Sequence, residues 1–326
     1  MQSSINYVGV DISKPFFDVA LPNGQAYTYY KFDNRQDGFE ALLKVLPQNS
    51  VVVMEASGPP YYMKLAAYLT QQGIGVSVIN PLVIRRFCQM RMSRAKTDKK
   101  DAKMIAEYGQ MEKPALWQPP QKYVVALQQM QALLDNLHKE HTALSNQHEG
   151  FSSSGMLGTK LEQIIEQELK HKQELIDKLT KQMEELARKH YGSMLADLET
   201  IPGLGRKTSI LLIVLIGGFN RFSNYRKLGS YIELSPRIFE SGTSVKGKAR
   251  ITKMGMSRIR AMLYVCAWSA KRYNKACREL YQRLLAKGKA KKQALIAVVN
   301  KLLKQAFAIV TNQTVYDENY VSKPCF

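Results

Sequence analysis

Cysteine is scarce in this sequence, and the cysteines are widely separated along the chain. The four residues, Cys88, Cys266, Cys277 and Cys325, form no Cys-x-x-Cys motif, which argues against a disulfide framework or zinc site and favours reduced, structural thiols. Long apolar runs are missing too, because the best candidate, ILLIVLI at 210–216, is far shorter than the roughly 18 residues of a membrane span. The chain does not begin with a basic segment, an apolar stretch and a small-residue cleavage site, so we expect a cytoplasmic protein.

Acidic residues are fewer than basic residues, and most of the difference lies in one part of the chain. The chain has 47 Lys and Arg against 27 Asp and Glu, a net charge of +20. Basic and acidic residues number 14 and 10 in residues 1–117, 9 and 11 in 118–197, and 24 and 6 in 198–326. An excess concentrated in the last third favours a polyanionic partner, and nucleic acid is the commonest polyanion in a cytoplasm.

The first hundred residues alternate between strand-like and helix-like segments. Runs rich in β-branched and aromatic residues, separated by turn signals, predict strands at 5–12, 16–21, 26–32, 51–55 and 75–80. Apolar residues at helical spacing predict helices at 39–46, 61–73 and about 98–110. This order predicts a mixed sheet that begins as an antiparallel meander and continues through crossover helices, an α/β domain over 1–117.

Residues 118–195 change to a heptad pattern. The spacing of three and four predicts two long helices with a narrow seam. The seam residues are Leu127, Met130, Leu134, Leu137, His141 and Leu144, and then Ile165, Leu169, Lys172, Ile176, Leu179, Met183, Leu186 and His190. Between the helices, EGFSSSGMLG at 149–158 is expected to be a loop. A hairpin that packs on itself and a pairing with another subunit both fit, and the narrow seam favours the partner.

The last segment, 196–326, is expected to be helical and basic. Helices are predicted within 198–217, at 256–273 and at 291–310. The turn IPGLG, at 201–205, resembles the hairpin of helix-hairpin-helix DNA binders, whose backbone amides face phosphate. The candidate nucleic-acid contacts at this turn are Gly203, Gly205, Arg206 and Lys207.

Four acidic residues stand at the ends of predicted elements. Asp11 ends the first strand, Glu55 ends the fourth, and Asp98 and Asp101 begin a helix in KTDKKDA. If that helix packs beside the first strand, the four carboxylates converge, because neighbouring strands end together and residues three apart share a helix face. Clustered carboxylates are tolerated chiefly around divalent cations, and oxygen ligands select Mg²⁺ or Mn²⁺. The pattern predicts a metal-dependent phosphoryl-transfer centre.

Each acid also has a structural interpretation. Asp11 fits a turn cap, Glu55 fits a surface residue at a strand end, and Asp98 fits a helix N-cap with Asp101 in the favoured first turn. Taken together, their common position favours the metal site. The segment GVDIS also suits actin-like sugar kinases, but a second Gly-rich phosphate loop and an adenosine-binding segment are missing from the sequence.

The motifs GVDIS, MEASG, INP, KTDKKDA, IPGLG and SPRIFESGTSVKGKARITKMG, in this order, resemble those of the Piv/MooV-type DEDD transposases of bacterial insertion sequences, the bridge-RNA-guided recombinases. The resemblance covers residues 5 to about 305. It implies an RNase H-like (RuvC-like) α/β domain over 1–117, a coiled-coil helical connector over 118–195 and a mainly α-helical transposase domain over 196–326. Its four catalytic, metal-binding acids are carried over to Asp11, Glu55, Asp98 and Asp101.

The resemblance also assigns a nucleophile in a segment without a nearby histidine. It implies that Ser241, the first serine of SGTS, is the catalytic residue, with Ser244 as the competing choice, and that the Mg²⁺ or Mn²⁺ centre belongs to the same composite active site. Thr243 stands where many relatives have serine. Flexible or basic residues around Ser241 are candidate nucleic-acid contacts: Gly242, Thr243, Lys246, Lys248, Arg250 and Lys253.

The implied function is site-specific recombination of donor and target DNA through a covalent phosphoserine. The resemblance adds a structured noncoding bridge RNA that pairs with both DNAs, and a homodimer that assembles into a tetramer and associates with the nucleoid when acting. Two alternatives stay open. One is a RuvC-like, metal-dependent, structure-specific nuclease without a covalent intermediate; the other is a non-catalytic RNA-binding scaffold, against which the intact acids argue.

Overall fold

The chain forms two compact units, Met1–Pro120 and Gln121–Phe326. The computed structural model describes residues 5–56, 60–92, 97–234, 240–241, 245–246 and 256–320. The first unit is built on a sheet, and the second is helical over most of its described length. The chain therefore has an α/β part followed by a helical part.

The described residues of the first unit form five strands and four helices. The strands are β1 (Asn6–Ile12), β2 (Phe16–Asn23), β3 (Ala26–Asp33), β4 (Ser50–Glu55) and β5 (Gly75–Ile79). The helices are α1 (Gln36–Val45), α2 (Tyr62–Gln71), α3 (Pro81–Met90) and α4 (Asp98–Glu112). The sheet order is β3-β2-β1-β4-β5; β1, β2 and β3 pair antiparallel, whereas β1, β4 and β5 pair parallel. The expected mixed sheet with a meander is confirmed.

Turn chemistry sets the register of the meander. Ser13 begins the first turn, where its hydroxyl donates to the Phe16 carbonyl at 2.7 Å. Gly24 makes the second turn with φ of +60°, a left-handed conformation that costs glycine little. The register of β1, β2 and β3 follows from these short connections.

The sheet buries both faces. On one face, α1 and α2 cover a core that includes Val10, Phe17, Leu42 and Leu65, all with 0% exposure. On the other face, Ile84 of α3 and Ile105 of α4 pack with Tyr7, Val53 and Ile79. This two-sided burial explains why β1 and β4 are nearly continuous apolar runs.

The docking of α4 on the sheet depends on glycine. A β-carbon at Gly9 of β1 would overlap backbone atoms of Ala102 and Ala106. Further along α4, a β-carbon at Gly109 would lie 3.1 Å from the Tyr7 side chain. The helix thus runs antiparallel to β1, and its first turn lies at the carboxyl end of that strand.

The second unit contains seven α-helices and one short 3-10 helix, Phe219–Arg221, within its described residues. The α-helices are α5 (Lys122–Ser153), α6 (Thr159–Glu199), α7 (Arg206–Ile216), α8 (Tyr225–Ile232), α9 (Ser257–Tyr273), α10 (Lys275–Ala286) and α11 (Lys291–Asn312). Two short strands, β6 (Glu240–Ser241) and β7 (Val245–Lys246), pair antiparallel between α8 and α9.

α5 and α6 form an antiparallel hairpin and bury the predicted apolar seam against each other. Leu127 and Leu134 of α5 and Ile176 and Met183 of α6 are buried in one core. Lys172 bridges to Glu140 of α5 at 2.9 Å across the same interface. The seam is therefore covered by the hairpin itself.

The structure differs from the sequence prediction at both ends of the hairpin: the connecting loop is shorter, and α6 is kinked near its C-terminal end. α5 continues through 149–153, so the connection is shorter than the predicted loop. The Ser153 and Ser154 hydroxyls donate to the carbonyls of Gly150 and Phe151 and so supply partners to the final turn of the helix. At the other end, α6 is kinked at Tyr191, with φ of −130° and ψ of 23°.

The core of the second unit is formed by α7, α9 and α11. Leu212, Leu263 and Val299 are fully buried there. By length and composition α11 could cross a membrane, with a mean hydropathy of 1.5, but 56% of that stretch is buried in the protein, as in the core helix of a globular domain. Cys266 and Cys277 are buried free thiols, in agreement with the expected structural role.

Candidate active site

A row of acidic residues crosses the sheet at the carboxyl end of β1. Asp11 lies directly opposite Asp18 in the antiparallel β1–β2 pair, so both side chains lie on the same face. Glu55 lies two residues beyond Val53, the parallel partner of Gly9. Because alternate residues of a strand share a face, Glu55 extends the row onto β4.

The first turn of α4 brings two more acids to this row. Thr97 caps the helix by accepting a hydrogen bond from the Lys100 N–H at 3.3 Å. Asp98 and Asp101 follow in the first turn, where the positive end of the helix dipole stabilises carboxylates. Asp98 is exposed and Asp101 is half-buried.

The carboxylates act on one another electrostatically. The pKa of Asp11 is raised to about 6, first by burial and then by the charges of Asp101, Glu55, Asp98 and Asp18, in that order. Like charges disfavour ionisation only when they lie near each other. Asp101, Glu55 and Asp98 therefore lie near enough to Asp11 for their charges to act on it.

Asp18 is the acid that the sequence patterns did not single out. Its carboxylate lies 3.7 Å from the Nζ of Lys31 on β3, its partner in the antiparallel register. Burial raises the pKa of Asp18, whereas the charge of Lys31 lowers it. The turn at Ser13 sets the pairing of β1 with β2, so counting residues outward from this turn places Asp18 opposite Asp11.

A second group of metal-type ligands lies at the hairpin. Among the described residues, one group of three ligand atoms lies within 4.8 Å of one another, that of His148, Glu162 and Glu166. The Nε2 of His148 is 4.0 Å from the Glu162 carboxylate, so an ion pair with a protonated imidazole also explains the group. The carboxylates around Asp11 do not form such a group in the described part of the chain.

Ser241 lies in a small antiparallel pairing in the second unit. Its backbone pairs with Val245, and that of Glu240 pairs with Lys246. The other candidate contacts of this segment lie outside the described residues: Gly242, Thr243, Lys248, Arg250 and Lys253.

The turn of residues 201–205 is held rigidly at the start of α7. Gly203 has φ of +106° and packs against Ala270 of α9, whose β-carbon would be 2.7 Å from a β-carbon at residue 203. The buried Asn274 donates to the Pro202 carbonyl at 3.4 Å. Gly205 is the N-cap residue of α7, so exposed backbone amides begin that helix.

Arg206 and Lys207 are exposed in the first turn of α7. Arg206 bridges to Glu199 at 3.1 Å. Backbone amides, a helix N-terminus and these two cations form the kind of surface that binds phosphate.

Comparison with known proteins matches both ends of the chain to one family. Residues 8–151 match the DEDD transposase model of IS110, and residues 195–282 match the transposase model of the IS116/IS110/IS902 family. The pilin gene-inverting protein of Moraxella bovis is 31% identical over 332 residues, which cover 97% of this chain and 98% of that protein. The chain belongs to the IS110 family of transposases.

More distant transposases are similar over most of the chain. The transposase for insertion sequence element IS1111A of Coxiella burnetii is 24% identical, over 96% of this chain and 91% of its own. The transposase for IS1328 of Yersinia enterocolitica is 24% identical, over 81% and 83% of the two chains. This IS110-family transposase is accordingly a DNA transposase or recombinase enzyme, and its DEDD match spans the sheet that carries Asp11 and Glu55.

Proposed function

We propose that this transposase is an RNA-guided, site-specific DNA recombinase of an insertion sequence. In this proposal Ser241 attacks a DNA phosphate, and Asp11, Glu55, Asp98 and Asp101 hold a divalent cation. The observation that carries the catalytic part is the placement of these acids at one end of the sheet, where burial, followed by the charges of Asp101, Glu55 and Asp98, raises the pKa of Asp11 to about 6.

The sheet supports an RNase H-like domain of the RuvC type. Three antiparallel strands are followed by parallel strands on the far side of β1, in the order β3-β2-β1-β4-β5. The acids lie at the carboxyl ends of the two central strands, β1 and β4, and on the helix that packs over them. Carboxyl ends of adjacent parallel strands are a common position for functional side chains.

The donor set suits Mg²⁺ or Mn²⁺. Carboxylate oxygens are the ligands these hard cations prefer, and repulsion among the acids is the penalty that a cation removes. A divalent ion bound here would stabilise negative charge on a phosphate.

Ser241 supplies the covalent step. Its Oγ forms a bond to phosphorus while a bond between phosphorus and a DNA oxygen breaks, and the serine proton ends on the released DNA hydroxyl. A hydroxyl of the second DNA later displaces the serine and joins the two DNAs. The energy of the phosphodiester bond is conserved in the phosphoserine between the two steps.

Nucleic-acid contacts are proposed for the basic second unit. The exposed start of α7, with Gly203, Gly205, Arg206 and Lys207, suits phosphate. The segment that contains Gly242, Thr243, Lys246, Lys248, Arg250 and Lys253 adds charge beside Ser241. A structured bridge RNA would supply sequence choice by base pairing, while the protein contacts RNA shape and DNA backbone.

A homodimer that assembles into a tetramer is proposed through the hairpin. The predicted seam is used internally, but an exposed stripe that carries three apolar side chains remains on α6. Leu161, Ile164 and Leu175 are 46%, 63% and 38% exposed, at positions that fit a heptad spacing. Such an exposed stripe suits a second copy of the chain.

Trapping of the covalent intermediate tests the proposal. Purified protein, RNA transcribed from the DNA that flanks the gene, donor DNA and Mg²⁺ are expected to give a protein–DNA adduct that survives denaturation. Ser241→Ala should abolish the adduct, whereas Ser244→Ala and Ser269→Ala, the latter an exposed serine on α9, should retain it. Strand nicking that persists in Ser241→Ala would instead establish the RuvC-like nuclease.

A further inference from the structure

A strip of aromatic and basic side chains lies on the edge of the sheet beside the acids. Tyr27, Tyr29 and Lys31 alternate along β3 and so share one face. The cross-strand register places that face on the side of Asp11 and α4, because Tyr29 pairs with Ala20 and Ala20 with Gly9. We name Tyr27, Tyr29, Lys31, Lys99 and Lys103 the edge strip.

Two lysines of α4 lean over the tyrosines of β3. The Nζ of Lys99 lies 6.0 Å from the centre of the Tyr29 ring, and the Nζ of Lys103 lies 5.5 Å from that of Tyr27. Lys103 also bridges to Glu107 at 3.6 Å. Tyr29 is 38% exposed, and Lys99 is exposed as well, so both side chains are accessible from solvent.

The edge strip is continuous with the acids. Lys31, Asp18 and Asp11 occupy successive strands in one cross-strand row, and strand spacing puts Lys31 about 10 Å from Asp11 along that row. An open cleft of about 600 Å³ lies here, lined by Asp18, Tyr29, Tyr30, Lys31, Thr97, Asp98 and Lys99. One wall of the cleft thus belongs to the candidate active site and the other to the edge strip.

Charge explains why a polyanion would need such a strip. The acids around Asp11 repel phosphate at the position where the proposed chemistry requires it. The three lysines of the edge strip, Lys31, Lys99 and Lys103, give a neighbouring nucleic-acid strand an attractive surface. Tyrosine rings beside lysines are the combination that holds unpaired nucleic acid, since bases stack on the rings and phosphates contact the cations.

We propose that the edge strip holds the DNA strand that carries the scissile phosphate, on one side of that phosphate. A base stacks on Tyr29, Lys31 and Lys99 contact the backbone phosphates, and Lys103 with Tyr27 extends the contact away from the acids. This inference rests on the proposed function of the acids. DNA is favoured over RNA because the strip is continuous with the residues assigned to the reacting DNA phosphate. The contact reads no sequence, because every base offers a ring face.

Site-directed photocrosslinking of the full-length protein tests this. Benzoylphenylalanine replaces Tyr29 in one variant and Lys44 in a control; Lys44 is exposed on α1, which packs on the opposite face of the sheet. The probes are a labelled single-stranded DNA of mixed sequence and an RNA of the same sequence, offered together with Mg²⁺. We expect a DNA adduct from position 29 and none from position 44.

Other outcomes overturn the inference. An adduct of position 29 with RNA in preference to DNA would assign the strip to RNA, and equal labelling from positions 29 and 44 would make the contact non-specific. Absence of an adduct at position 29 would also refute it. If position 29 gives no DNA adduct while Ser241 still forms its covalent adduct, only the inference about the edge strip is refuted. If Ser241 forms no covalent adduct while position 29 crosslinks to DNA, only the proposed function is refuted.

Substitutions separate stacking from charge. Tyr29→Ala should raise the DNA concentration for half-maximal strand cleavage at least fivefold, while Tyr29→Phe should stay near wild type because the ring is kept. Lys99→Ala should weaken binding more at low salt than at high salt, and Lys44→Ala, which removes the same charge elsewhere, should not. A Tyr29→Ala protein that cleaves at unchanged DNA concentration contradicts the stacking role.

Discussion

Gly9 of β1 lies so close to Ala102 of α4 that a β-carbon on residue 9 would overlap the Ala102 carbonyl oxygen. This contact sets the position of the first turn of α4, and therefore that of Asp98 and Asp101 relative to Asp11. The glycine is thus required by the geometry of the acids as well as by the fold.

Gly9→Ala should displace α4 and lower stability. The expected cost is about 1–3 kcal/mol, the usual range for overpacking, together with a loss of DNA cleavage because the acids separate. Thermal denaturation and a cleavage assay measure the two effects. The control is Gly192→Ala, where a β-carbon meets open space and helix propensity predicts equal or slightly greater stability. A fully stable and active Gly9→Ala protein would refute the contact.

The pKa of Asp11 predicts a pH effect on the metal-free protein. Because the folded pKa of about 6 exceeds 3.8, the ordinary value for an aspartate, the native state binds more protons than the unfolded state between these values. Stability therefore falls as pH rises through this window. Asp11→Asn removes the titrating group, so its melting temperature should fall less than that of wild type between pH 4 and pH 7. Parallel melting curves over this range would contradict the shifted pKa.

Divalent cations should stabilise the protein through the acids around Asp11. At a Mg²⁺ concentration tenfold above the dissociation constant, binding to the native state contributes about 1.4 kcal/mol. Thermal shift should detect this in wild type and lose it in Asp11→Asn. The His148→Ala variant tests the second ligand group at the hairpin. If His148→Ala, and not Asp11→Asn, abolishes the shift, the cation binds at the hairpin.

The base of the hairpin is closed by aromatic stacking. Tyr123 of α5 stacks on His190 of α6, with ring centres 3.8 Å apart and planes inclined by 5°. Tyr123→Ala should destabilise the hairpin by about 0.5–1.5 kcal/mol beyond the lost burial, and Tyr123→Phe should retain most of that stability. Hydrogen exchange of α5 amides measures it, with Tyr320→Ala, 74% exposed, as control. Unchanged exchange in Tyr123→Ala would show that the stack contributes little.

The exposed stripe of α6 predicts the oligomeric state. Ile164→Glu should shift the protein from dimer toward monomer, since it introduces a charge into a 63% exposed apolar position proposed to meet a second copy. Gln163→Glu places the same charge on the neighbouring exposed residue and should leave the dimer intact. Sedimentation velocity distinguishes them, and equal behaviour of the two variants would place the dimer contact elsewhere.

The elements of the first unit could be predicted from the sequence because their signals are local. Alternation of apolar residues and the turn residues around Ser13 and Gly24 specify β1, β2 and β3, and strand-end positions singled out Asp11 and Glu55. Asp18 and the edge strip could not be recognised in the same way, since their position depends on cross-strand register and on which face α4 covers. The alternation in AYTYYKF was visible, but its relation to Asp11 was not.

In the second unit, the sequence pattern predicts the long helices but not the short ones. Heptad spacing located α5 and α6, but it could not decide whether Ile176 and Met183 meet α5 or another subunit; the structure buries them against α5. α8 and α10 carry fewer buried residues, with Cys277 the one buried residue of α10, so their periodicity was weak. α3, which begins with Pro81 after the N-cap Asn80, was missed although its start signal was present.

The hairpin has arms of matched length. α5 contains 32 residues, and the same number, Thr159 to His190, precede the kink of α6 at Tyr191. At 1.5 Å per residue each arm extends about 48 Å, the length of about 14 base pairs of B-DNA. A heptad inserted in both arms would move the tip outward by about 10 Å and keep Tyr123 opposite His190. An insertion in one arm alone would separate the two rings. The length of the hairpin can therefore change only by paired insertions or deletions.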